Sequence, residues 1–116
     1  MLTLSPKQIE AFHEAQLQRF ENSLLCHLRE RFSDFFASMD EATARKVIRQ
    51  GSRRAETYGI VSEYDIRRFV EFFCEFRGKF EEQDWVSSVL KDPGLSGDQK
   101  MDRLDALATF SARQPR

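Results

Sequence analysis

FVEFFCEFRGKFEEQDW, residues 69–85, sets five phenylalanines within twelve residues and closes on the only tryptophan of the chain. Projected at about 100° per residue, Phe69, Phe72, Phe73, Phe76 and Phe80 fall within about 100° of arc, the width of a core-facing helical stripe. Upstream, Ser62-Glu63-Tyr64-Asp65 offers an N-cap serine and first-turn acids, which the helix dipole favours. The pattern predicts a helix from about residue 62, weakened or ended by Gly78 near residue 77.

The remaining segments also read as helix. Ser5-Pro6-Lys7-Gln8 combines an N-cap serine, a proline at the first helical position and Gln at N3, a capping box. From there Ile9, Phe12, Leu17, Phe20, Leu24, Leu28 and Phe32 recur at helical spacing, predicting one long helix over 6–32 with Phe35 and Phe36 at its frayed end. Asp40 is placed to cap a helix over 41–58 that Gly59 ends. On this second helix Ala44, Val47, Ile48, Gly51, Ala55 and Tyr58 share an arc of mostly small residues that permits close approach. A short helix is expected over 84–90. A second capping box, Ser96-Gly97-Asp98-Gln99, opens a last helix to about 112 with Met101, Leu104, Leu107 and Ala108 on its stripe. No strand pattern competes, so the expected class is all-α, a small bundle of about four to five helices without a sheet. At 116 residues the chain fits one domain, 1–112, with the tail 113–116 expected to fray.

Composition narrows the function. A formal charge of −1 gives no net attraction to nucleic acid or anionic lipid. The two cysteines, Cys26 and Cys74, form no framework, and neither a secretory leader nor a membrane span is legible. The expectation is a cytoplasmic protein with free thiols and no membrane partner; a single bridge would require an oxidising compartment. The five glycines make no phosphate-binding loop. His13 and His27 lie about 21 Å apart along one helix, too far to share an ion, and read as partly buried structural residues. No constellation of nucleophile, base and orienting group stands out among the 19 acids, two histidines and two cysteines, so neither cofactor, metal nor catalysis is expected.

Two features point instead to binding. Eleven phenylalanines are many for so small an interior. Phe12, Phe20, Phe32, Phe69, Phe73 and Phe76 are expected in the core. Phe72 at the stripe's edge, Phe80 beyond Gly78, Phe110 and Trp85 are expected at a surface, where aromatics beside charges mark protein contacts. The second feature is a basic helical face, Arg45, Lys46, Arg49 and Arg53, with Arg54 at its edge. Its ordinary reading is a solvated face paired with acids such as Glu71, Glu75, Glu81 and Glu82. As a nucleic-acid surface it conflicts with the acidic, phenylalanine-rich helix that follows. The candidate partner-binding residues are therefore Phe72, Phe80, Trp85, Arg45, Arg49 and Arg53, and self-association through the aromatic face stays open.

Several segments together carry a resemblance: Arg54-Ala-Glu-Thr-Tyr58-Gly59-Ile60, the phenylalanine helix with Phe80 and Trp85, Leu90-Lys-Asp92-Pro93-Gly-Leu95, and Lys100-Met101-Asp-Arg103-Leu104. In this order they resemble small proteins encoded in bacterial type VI secretion clusters beside the VgrG spike, its PAAR tip and effector-loading chaperones. The likeness covers about residues 50–107 and rests on packing and capping motifs. It implies a non-enzymatic co-chaperone or adaptor partner that assists loading of an effector onto the spike, and it carries over no catalytic residue. Two further readings remain: an immunity protein that neutralises a cognate toxin, and a small nucleic-acid-binding regulator.

Overall fold

The computed structural model describes residues 5–77 and 79–113, with side chains through residue 109. Every regular element among them is helical, and the fold is all-α. The helices are α1 (Pro6–Arg31), α2 (Ser33–Phe36), α3 (Glu41–Thr57), α4 (Glu63–Glu75), α5 (Asp84–Leu90) and α6 (Gly97–Arg113), with a 3-10 turn at Phe80–Glu82. The count exceeds four to five because Phe35 and Phe36, expected at a frayed helix end, belong to the separate short helix α2. Phe32, with φ −121° and ψ 49°, breaks the α1 ladder just before it. Contacts gather into two compact units, Met1–Ile48 and Arg49–Arg116, whose boundary falls inside α3.

The helix starts follow local chemistry. The Ser5 hydroxyl accepts from Gln8 N while the Gln8 side chain accepts from Ser5 N, and Ser96 and Gln99 repeat the exchange. The Asp40 carboxylate accepts from Thr43 N at 2.7 Å, and hydrogen bonds from the Thr43 side chain first and its amide second hold the Asp40 pKa below the usual carboxylate value. The Ser62 hydroxyl accepts from Asp65 N. Each cap satisfies an amide that the first helical turn leaves without an internal partner.

In the first unit the buried apolar residues are Leu24, Leu25 and Leu28 of α1, Phe36 of α2, and Ala44 and Ile48 of α3. Only the second half of α1 is covered; every residue from Ser5 to Arg19 is exposed.

The second unit holds the phenylalanine core. Phe69 and Val70 are fully buried with Ile60, Val86, Leu90, Met101 and Leu104. Phe80, expected at a surface, has 0% exposure, and Phe72 has 8%. The reason is a chain reversal. Helix α4 ends at Glu75 and Arg77 takes the left-handed region at φ 53°, so the backbone turns back. Phe80 thereby returns to the stripe of α4. Its ring stacks on Phe72 at 5.1 Å and 4°, meets Phe69 edge-on at 5.4 Å, and lies 5.7 Å from Phe76. Trp85 is half-buried and edge-on to Phe76. Gly78, Phe110 and the tail beyond residue 113 carried sequence expectations that lie outside the described backbone or side chains.

Two close approaches seat the helices of this unit. A Cβ on Gly51 would stand 3.1 Å from a Val70 methyl, so the small-residue stripe of α3 does bring it near α4. A Cβ on Gly97 would stand 2.4 Å from the carbonyl oxygen of Gly59, a backbone atom that cannot swing away. Gly59 itself has φ +78°, the conformation expected at the C′ position of α3.

Phe80→Ala is expected to cost about 3–5 kcal/mol in urea unfolding, because it empties the middle of a ring cluster. An unchanged midpoint would place Phe80 outside the core. Gly97→Ala is expected to cost about 1–3 kcal/mol through the clash with Gly59, whereas Gly94→Ala, whose nearest neighbour is a side-chain oxygen at 3.3 Å, should change the midpoint far less.

Candidate functional site

The six residues singled out from sequence separate into different environments. Phe72 and Phe80 are core residues, and Trp85 is half-buried against Phe76. Of the aromatic docking face expected from residues 72–85, Phe72 and Phe80 are thus turned inward by the reversal at Arg77, and Trp85 keeps part of its surface exposed. In the first unit Arg45 donates to Glu21 at 2.7 Å and lies 3.7 Å from Glu41. In the second unit Arg49 and Arg53 are exposed, and the neighbouring Arg54 donates to Glu81 at 2.9 Å while its guanidinium lies over the Tyr58 ring. Within the basic face Arg45 is thus paired with Glu21, and Arg54 at its edge with Glu81, one of the acids named for that pairing.

Exposed apolar surface appears elsewhere. Ile9 is 42% exposed, Phe12 52% and Leu17 65%, all on the uncovered first half of α1. Phe12 was expected in the core, and the structure corrects this: its side chain is exposed, and the described buried residues of its unit lie along the second half of α1, on α2 and on α3. Phe20 and Phe32, expected beside it in the core, are half-buried, as is Phe76. His13 is exposed rather than partly buried, and His27 is half-buried. Ile9 and Phe20 lie near the centre of the α1 stripe, with Leu17 to one side and Phe12 to the other, spanning about 140°. Periodicity could not reveal this face, because a stripe that meets a partner and one that meets the protein's own core have the same spacing. In the second unit Val61 and Tyr64 are also exposed, with the Arg68 guanidinium 5.2 Å from the Tyr64 ring centre.

The densest polar constellation is a side-chain network between α4 and α6. Arg68 donates from Nε to Asp105 at 2.9 Å, and from Nη1 to Asp65 at 3.0 Å and Asp102 at 3.1 Å; Nη2 also donates to Asp105. Burial alone would raise the Asp65 carboxyl, but hydrogen bonds from Asp98, Ser62 and Arg68 outweigh it and hold the group below its usual value. Asp98 moves the opposite way, raised first by its hydrogen bond to Asp65 and then by the charge of that group. Two carboxylates in contact oppose each other's ionisation, which is why the two groups shift in opposite directions. Burial lowers the Arg68 guanidinium, yet Asp105 and Asp102 more than reverse this and leave it raised. Lys100 adds a further tie across the unit by donating to the Tyr58 carbonyl oxygen at 2.8 Å.

This network is chemically a clamp, since the guanidinium occupies the centre of the carboxylates. Among the described residues no group of three or more His, Cys, Asp or Glu is arranged to hold a metal ion. The Cys74 thiol is buried and pushed up to about 12, first by burial and then by the charge of Glu71, which leaves it a poor nucleophile near neutral pH. Cys26 is exposed. No described helix is long and apolar enough to cross a membrane. No protein-family model, curated protein or solved structure matches the chain.

The clamp makes a pH prediction. Asp98 has a raised pKa in the folded state, so its contribution to stability is complete below its unfolded value near 3.8 and is lost as pH rises through the raised folded value. Asp98→Asn keeps a hydrogen-bond donor toward Asp65 without a charge to remove. It is expected to unfold at a higher urea concentration than wild type at pH 7, with the gap closing as pH approaches 3.8. A gap that persists at low pH would show that the Asp65–Asp98 contact does not govern the difference.

Proposed function

We propose that this protein is a non-enzymatic, protein-binding accessory factor that docks through the uncovered first half of α1. In the setting implied by its sequence resemblance, it acts as a co-chaperone or adaptor partner that assists loading of a type VI secretion effector onto the VgrG/PAAR spike. The observation that carries this reading is the apolar stripe of Ile9, Phe12 and Leu17 standing in solvent on an otherwise polar, fully exposed run of helix.

Two physical arguments support it. A segment of this length gains little stability in water from propensity alone, and most helices in proteins are held by packing of an apolar face. Here that face is exposed among the described residues. Second, a cluster of aliphatic and aromatic side chains is the usual centre of a binding surface. Completing the burial of three half-exposed side chains contributes about 2–4 kcal/mol, whereas micromolar affinity needs about 8 kcal/mol. The stripe thus acts as the anchor of a wider contact whose rim supplies the rest.

Co-expression with the products of the genes that flank its own tests the proposal. One of them, an effector, a loading chaperone or a spike component, is expected to co-purify in fixed stoichiometry. The double variant Phe12→Ser/Leu17→Ser is expected to lose that complex while keeping wild-type helicity and unfolding midpoint, because both positions are exposed. Retention of the complex by this variant, or failure of any flanking product to co-purify, would overturn it.

A further inference from the structure

We infer that the occupant of the α1 stripe is a basic amphipathic helix of a different protein, apolar along one side with lysine or arginine on the flank that meets Glu10 and Glu14. The inference rests on the reading of this stripe as a docking face and adds the chemistry of the partner.

The charges beside the stripe carry it. At about 100° per residue, Glu10 and Glu14 turn off the same side of the stripe as Leu17, with Lys7 farther round on that side, while Arg19 turns off the opposite side with Phe12. Neither glutamate has an ion-pair partner among the described residues. Their spacing of four residues makes them close neighbours, and like charges so placed oppose helix formation. Some pairs at that spacing are matched, Glu41 with Arg45 and Arg67 with Glu71, while Arg49 with Arg53 and Glu71 with Glu75 are like-charged as Glu10 and Glu14 are. The first half of α1 therefore carries two unfavourable features in the same place, an uncovered apolar stripe and a repelling pair of carboxylates along its edge. One occupant relieves both: an apolar ridge bordered by cations.

A second copy of this chain fits less well. Antiparallel self-pairing that sets Ile9 against Phe20 and Phe12 against Leu17 has its two-fold axis between Glu14 and Ala15. That symmetry brings like flanks together, so the two Glu14 carboxylates would meet. Any self-pairing also uses the same small patch twice, and three half-exposed side chains fall short of the ~800 Å² per partner of a stable interface. A different protein can extend past the stripe.

The test uses two labelled synthetic 18-residue helices with the same leucine stripe, one flanked by lysine and one by glutamate, titrated into the full chain by fluorescence anisotropy. The lysine peptide is expected to bind about tenfold more tightly, with the gap narrowing as salt rises. Glu10→Lys/Glu14→Lys is expected to invert the preference, and Phe12→Ser/Leu17→Ser to abolish binding of both peptides. Equal binding, or a preference unchanged by the charge reversal, would overturn the inference. So would a dimer in sedimentation velocity that Phe12→Ser/Leu17→Ser dissolves. The two readings fail separately. Binding that is lost with Phe12 and Leu17 but indifferent to Glu10 and Glu14 removes the basic partner and keeps the docking face. Binding that survives Phe12→Ser/Leu17→Ser removes the docking face itself.

Discussion

The left-handed turn at Arg77 decides how the second unit is built. A helix carrying a phenylalanine at every turn has more apolar surface than its own neighbours in sequence can cover. The reversal at φ 53° lets the chain cover that surface with itself, returning Phe80 to the rings of Phe69, Phe72 and Phe76. A non-glycine residue in this region costs about 1–2 kcal/mol, which the burial of one complete phenylalanine ring offsets. With Phe80 seated, the 3-10 turn and α5 follow directly, and Val86, Val89 and Leu90 close the same core.

Charge arranges the rest. The cations of α3 are spread between both units; acids hold Arg45, through Glu21, and Arg54, through Glu81. Between α4 and α6 the ratio is inverted, with Arg68 serving Asp65, Asp102 and Asp105 at once. A guanidinium suits this place because its planar fork donates in several directions and keeps its charge when partly buried. The result is a polar seam that holds α6 in one position, where an apolar seam would allow sliding. At its end, Gly97 against Gly59 fixes how closely the α6 start meets the α3–α4 turn.

The aromatic residues exchange the places expected of them. Phe80 and Phe72 were expected outside and are inside; Phe12 was expected inside and is exposed. The two errors have different physical origins. For Phe80, helical phase was read as ending at Gly78, but a residue beyond a helix can rejoin its stripe when a turn folds it back. For Phe12, the phase was right and the partner was missing. The basic face was legible as a stripe, and Glu81, which holds Arg54, is among the acids expected to pair with it, but Glu21, which holds Arg45, was not foreseen. The Arg68 network was not foreseen either, since it joins residues 37 positions apart that no spacing rule connects.

What the sequence alone determined is local: the all-α class, the capped starts at Ser5, Asp40, Ser62 and Ser96, the stop at Gly59, and the period of each apolar stripe. These depend on interactions within one helical turn, so residue types at short spacing suffice to specify them. Tertiary structure decided which stripes are covered, which charges are compensated, and therefore which surface is left to bind. Burial belongs to two surfaces in contact, and only one of the two is written in any stretch of chain. The stripe of α4 meets Phe80; the first half of α1 stands exposed among the described residues.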